Sequence, residues 1–176
     1  EKRLAQNPNN VSMETATALI TNLAQLGRLQ FKSDDYQEAI SNYQRALDLI
    51  EELMAQNPSS KILPFPDTMR FNMLISTGFM HLYNVDLAAA LSMYQRALAI
   101  TLVESNTLDS PEYKQADVLD RIGAIQLQSG ERSAALSSYQ DSLSIREKLV
   151  VQDPDDSDLK RKLKDIHRLI AKGFVA

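Results

Sequence analysis

The stretches AISNYQRAL at 39–47, ALSMYQRAL at 90–98 and ALSSYQDSL at 135–143 decide the fold. They are three copies of one unit, spaced by 51 and 45 residues, and the same two spacings relate Gly27, Gly78 and Gly123 upstream of them. Self-similarity that aligns Gly, Ala, Tyr and Leu in one register is the mark of an internal repeat. The copies continue outward at both ends. EKRLAQNPNN at residue 1 resembles EELMAQNPSS at 51 and EKLVVQDPDD at 147, which puts Pro8, Pro58 and Pro154 at one repeat position. Gly173 follows Pro154 by 19 residues, as Gly27 follows Pro8. The chain therefore reads as a single domain cut from a longer protein: the tail of a preceding repeat at 1–10, complete repeats at 11–58, 59–108 and 109–154, and the start of a fourth at 155–176 acting as a capping helix.

Each unit reads as two helices. In the second helix of the first unit, Ile40, Tyr43, Leu47, Ile50 and Met54 step by 3, 4, 3 and 4, one apolar stripe at helical period with polar residues elsewhere. Asp35 and Glu38 stand at capping-box spacing before it, and Pro58 stops it. Ser110-Pro111-Glu112 is a further start signal, with a capping hydroxyl, proline at the first helical position and an acid in the first turn. Gly130 suits a left-handed helix end. Helices are predicted over 11–32, 36–56, 67–84, 86–106, 111–129, 132–152 and 157–173. A glycine inside a helix costs about 1 kcal/mol relative to alanine, so Gly27, Gly78 and Gly123 imply a compensating close contact. The expected contact is a backbone approach at Ala39, Ala90 and Ala135, with Tyr43, Tyr94 and Tyr139 filling space toward the next unit.

Composition narrows the function. The 176 residues carry 44% hydrophobic and 24% charged side chains, enough to bury a core, while few glycines and prolines favour an all-α chain over a sheet. A formal charge of -4 offers no general field for nucleic acid or an anionic membrane. Zero cysteines and two histidines exclude disulfides, thiolate nucleophiles and Cys- or His-rich metal sites. No phosphate loop, nucleophile elbow or HExxH motif occurs, so the chain is read as a non-enzyme without cofactor or metal. Asp153, Asp155, Asp156 and Asp158 form the densest acidic cluster, better suited to capping the following helix than to holding calcium. No stretch is long and apolar enough to span a membrane, and a cytoplasmic location is expected.

The residues now carry a family resemblance. The small residue at Gly27, Gly78 and Gly123, the alanine twelve positions on, the aromatic sixteen on and the small Ala46, Ala97 or Ser142 nineteen on resemble the tetratricopeptide repeat. Two features depart from its short form: Leu23, Leu74 and Leu119 stand in place of an early aromatic, and the period is 45 to 51. The units are similar to the long-helix variety of kinesin-light-chain-like and bacterial repeat proteins. The resemblance implies an α-α superhelix, a solenoid of three complete helix pairs plus partial repeats, and a concave groove lined by the first helix of each pair.

By register that groove holds Thr21, Gln25, Arg28, Phe31 and Lys32, then Asn72, Ile75, Ser76, Phe79 and Tyr83, then Asp117, Asp120, Arg121, Ala124 and Gln128. Aromatics beside arginine suit recognition of a peptide or protein segment, although Phe31, Phe79 and Tyr83 serve equally well as packing between helices. The family's carboxylate clamp for chaperone C-termini matches only at Arg121, with Ala24, Arg28, Ser76 and Asp117 at its other positions, so that ligand is not expected. The expected function is a non-catalytic interaction module that binds a protein or peptide or self-associates through its repeat ends. The alternative is a regulatory or ligand-sensing segment of a larger enzyme or signalling protein. Two surfaces stay open as contacts. In the last helix, Lys160, Arg161, Lys162, Lys164, Arg168 and Lys172 against Asp165 make a local charge of +5, read as mostly solvated. The Pro-rich linker 57–66, with Lys61-Ile62-Leu63-Pro64-Phe65-Pro66, must pack its apolar residues or offer them to a partner.

Overall fold

The periodicity is realised as seven helices in chain order, with no strand among the described residues: α1 Met13–Lys32, α2 Tyr36–Gln56, α3 Pro66–Tyr83, α4 Leu87–Val103, α5 Pro111–Gln128, α6 Arg132–Gln152 and α7 Ser157–Phe174. The computed structural model describes residues 13–56, 63, 65–103, 108 and 110–174. Observed ends fall within one residue of the predicted ones, except where predicted ends at 11–12 and 104–106 lie outside the described residues, as does the 1–10 tail.

The chain forms two compact units, Glu1–Asp86 and Leu87–Ala176, so the division falls between the two helices of the predicted second repeat. In unit 1, α2 packs on both α1 and α3. Ala16, Ile20 and Leu23 of α1 meet Ala46, Ile50 and Leu53 of α2 in one core, and Leu63 from the linker closes it. The linker thus splits its apolar residues: Leu63 is buried, whereas Phe65 stands exposed. In unit 2, α5 packs on α4 and α6, and α7 lays Leu163, Ile166 and Ile170 onto Ala135, Tyr139 and Leu143 of α6.

The recurring glycines are explained by a different contact from the expected one. A Cβ on Gly27 would lie 3.0 Å from the Tyr43 ring and 3.2 Å from the Ala39 carbonyl, and one on Gly123 would lie 2.8 to 3.0 Å from the Tyr139 ring. In the first and third pairs the tyrosine therefore sits over the glycine of its own pair, and at Gly27 the alanine backbone is the secondary contact. The Tyr43 hydroxyl continues toward the next helix, where Ser76 of α3 lies beside it. Burial pushes the Tyr43 phenol above its ordinary pKa, while Ser76 and Arg28 pull it back.

The turns inside the helix pairs repeat as well. Asp34, Val85 and Gly130 all have positive φ (60°, 59° and 82°) and stand one repeat apart. Around each, the last turn is closed in the same way: amides 34 and 35 bond to carbonyls 31 and 30, amides 85 and 86 to 82 and 81, amides 130 and 131 to 127 and 126. This double closure with a left-handed residue is the Schellman motif. Only the third copy has the glycine that the conformation favours. Val85 is the costliest occupant, because a β-branched side chain clashes in the left-handed region by about 1 to 2 kcal/mol. Its side chain is 77% exposed, so little packing offsets the strain. Val85→Gly is expected to stabilise unit 1 by about 1 kcal/mol, after allowing for glycine's larger unfolded-state entropy. A urea melt in which the midpoint falls would contradict this.

Phe65 and Ser110 also have positive φ, each immediately before a proline at the first helical position. A following proline disfavours the right-handed region but favours extended backbone, so it does not by itself account for the left-handed conformation. The expected capping role of the Ser110 hydroxyl is not met, since its side chain makes no capping hydrogen bond. The acidic linker before α7 does cap: Asp156 Oδ1 accepts from the amides of Asp158 and Leu159 at 2.8 and 3.0 Å. Those amide bonds, with the Tyr113 hydroxyl beside them, hold its carboxyl below the usual range.

Candidate interaction surfaces

Because α1 and α3 both flank α2, the C-terminal turns of α1 and α3 bring their aromatics together in unit 1. Phe31 lies 5.6 Å from Phe79 and 4.9 Å from Tyr83, ring centre to ring centre, and Phe79 lies 4.9 Å from Tyr83. Two of these contacts are edge-on, the arrangement that ring quadrupoles favour. Sequence reasoning missed a fourth ring. Tyr36, at the start of α2, sits 5.7 Å from Phe31 and 5.8 Å from Tyr83, and its hydroxyl donates to Asp34 at 2.6 Å. That bond to a carboxylate raises the Tyr36 pKa. The cluster is both packing and surface: Phe31, Tyr36 and Phe79 are half-buried, and Tyr83 is 49% exposed. Around it, Gln25, Arg28, Lys32 and Asn72 are exposed, and Ile75 and Ser76 are half-buried.

In unit 2 the expected α5 residues diverge. Arg121 lies over the Tyr94 ring of α4 at 5.7 Å from its centre, and Gln128 is exposed at the end of the helix. Asp117 and Asp120 converge instead on Arg146 of α6, whose Nη2 donates to Asp117 at 2.7 Å and to Asp120 at 2.5 Å. Arg146 is 1% exposed, among the most deeply buried side chains described. Burial alone would lower its pKa, but the two carboxylates outweigh that and hold the guanidinium above its ordinary value. Its Nε and Nη1, with Asp120 Oδ1, are buried without a hydrogen-bond partner among the described residues.

Lys162 of α7 joins this network, so the solvated reading of the basic helix is corrected at that residue, while Lys160, Arg161, Lys164 and Arg168 are exposed as expected. The Lys162 Nζ lies 3.1 and 3.0 Å from the two Asp117 oxygens, 3.6 Å from Asp158 and 5.3 Å from the centre of the Tyr113 ring. Tyr113 in turn donates to Asp156 at 2.8 Å, and burial together with that acid pushes its pKa up to about 12. Lys160, Lys164 and His167 remain exposed, while Arg161 pairs with Asp158 and Asp165, and Arg168 with Asp165.

A signal for Arg146 was present in the repeat register. Its slot is Ile50 in the first copy and Thr101 in the second, and that of Asp120 is Ala24 and Ile75. A charge introduced on one helix, with its counter-charge on the facing helix in the same copy, is a paired departure visible when the copies are compared column by column.

The tetratricopeptide-repeat family model matches residues 20–52, most of α1 with the first four turns of α2. No curated protein matches the chain. Among solved structures, the first tetratricopeptide-repeat domain of Spaghetti (RPAP3), bound to the HSP90 peptide SRMEEVD, has a TM-score of 0.50 over 88% of this chain and 94% of its own, at 18% identity. Identity at that level speaks for the fold alone. No helix among the described residues is long and apolar enough to cross a membrane. Residues 20–52 thus match a tetratricopeptide repeat, and the all-α chain has the fold of a tetratricopeptide-repeat domain.

Proposed function

We infer that the chain is a non-catalytic protein-interaction module, and that unit 1 takes a peptide or protein segment along the exposed side of α1 and α3. The observation that carries this reading is the aromatic cluster. Four rings at the ends of α1 and α3 and the start of α2 leave Tyr83 half in water, with Arg28 and Lys32 one helical turn apart on α1. A rigid aromatic with cations nearby is a typical binding hot spot, because its burial by a partner costs little conformational entropy. In unit 2, Arg121, Ala124 and Gln128 of α5 are the exposed members of the corresponding set, and Asp117 and Asp120 are part of it. A chaperone-tail clamp is not part of the reading: of the family's clamp positions only Arg121 matches, and Asp117 is a carboxylate where a cation is needed.

A peptide library panned against the chain supplies a ligand for titration calorimetry. Tyr83→Ala and Arg28→Ala are each expected to weaken binding by about 1 kcal/mol or more. Phe79 is a poorer probe, because it also packs against Phe31. Lys164→Ala, at an exposed position on α7, is the control and should alter only the salt dependence. Binding that survives both unit 1 changes and is lost with Lys164→Ala would move the site to the basic helix.

A further inference from the structure

In unit 1, α1 presents a second exposed stripe, distinct from its aromatic end: Thr15, Ala18, Asn22, Leu26 and Leu29, stepping by 3, 4, 4 and 3. Leu26 is 45% and Leu29 58% exposed. Their repeat equivalents are Thr77 and Met80 on α3, and Ile122 and Ile125 on α5, and all four are buried. Met80, for example, packs on Ala39 and Tyr43 of the preceding α2. The register thus marks the Leu26–Leu29 face of α1 as one that the fold buries wherever a preceding helix stands beside it.

We propose that this face is the contact of a symmetric dimer in which α1 packs antiparallel on α1 of a second copy, crossing at Asn22. The sequence of the stripe is self-complementary in that arrangement. Leu26 falls opposite Ala18 of the second copy and Leu29 opposite Thr15, large against small, as interdigitating helices require. Lys32, whose side chain leans toward its own N-terminus, reaches Glu14 of the second copy at each end. The alternative parallel pairing would set Lys32 beside Lys32 and Glu14 beside Glu14 at the edge of the seam, whereas the antiparallel one keeps the two Lys32 residues about 30 Å apart at a rise of 1.5 Å per residue. A two-fold contact of this type is isologous and closes at two copies.

Sedimentation equilibrium of the 176-residue chain over a wide concentration range tests this. The expected result is a monomer–dimer equilibrium that Leu26→Glu with Leu29→Glu weakens by about tenfold or more. Both side chains are exposed within one copy, so helical circular dichroism and melting at dilute concentration should be unchanged. Glu14→Lys should also weaken the dimer, and adding Lys32→Glu to it should restore association, since the pair is then reversed at both ends. A chain that stays monomeric throughout, a dimer indifferent to the leucine changes, or a charge reversal that fails to rescue would overturn the proposal. Peptide binding through Tyr83 is read in a separate titration and stands or falls on its own.

Discussion

Arg146→Ala is expected to destabilise unit 2 by about 2 to 3 kcal/mol, the lower part of the range for breaking a buried ion pair, because Asp117 and Asp120 keep some solvent. The change removes the α6 donor that Asp117 and Asp120 of α5 share, and leaves Asp117 with Lys162. Hydrogen exchange of the α5 and α6 amides would report the loss directly, since those two helices hold the network. The pair itself is not the best solution for stability. Two guanidinium nitrogens and one Asp120 oxygen are buried without partners among the described residues, so much of the desolvation cost goes uncompensated. The first copy solves the same positions with Ile50 and Ala24. Arg146→Ile combined with Asp120→Ala should therefore recover most of the loss, and protection no better than in Arg146→Ala would mean that the slot in unit 2 is not the equivalent of the slot in unit 1.

Gly123→Ala is expected to cost about 2 kcal/mol, although alanine is the better helix former by about 1 kcal/mol. The added methyl would stand 2.8 Å from the Tyr139 ring, nearer than real carbon contacts allow. Tyr139 cannot yield, because its ring is 1% exposed and locked among Ala135, Ile166 and the side chains of α7. Shortening the ring side should relieve the clash, so Gly123→Ala with Tyr139→Leu should cost clearly less than the sum of the two single changes. Additivity in urea melts would show that glycine and tyrosine do not touch.

The fold was legible because its signals are redundant. Gly27, Ala39 and Tyr43 recur with one register, the stripe from Ile40 to Met54 has a single period, and Pro66, Pro111 and Gly130 mark ends that the backbone obeys. What escaped was pairing at a distance. That the Tyr139 ring covers Gly123 is a matter of side-chain direction, and spacing alone does not choose between the ring and the neighbouring alanine. Tyr36 was hidden because it belongs to a second helix, while surface residues were sought on first helices only. Lys162 looked solvated because the basic run was judged along its own helix, without the acids that α5 brings beside it. Asp34 and Val85 carry no sign in their residue types of the left-handed turn that Gly130 announces.

The central claim is that a partner lies on the exposed side of α1 and α3 in unit 1. The most direct measurement is the change of amide chemical shifts across the chain as a selected peptide is added. The account predicts that the perturbations gather at Arg28, Lys32, Asn72 and Tyr83, with α2 affected only near Tyr36. Perturbations confined to the outer side of α2, or to Lys160, Lys164 and His167 on α7, would contradict it.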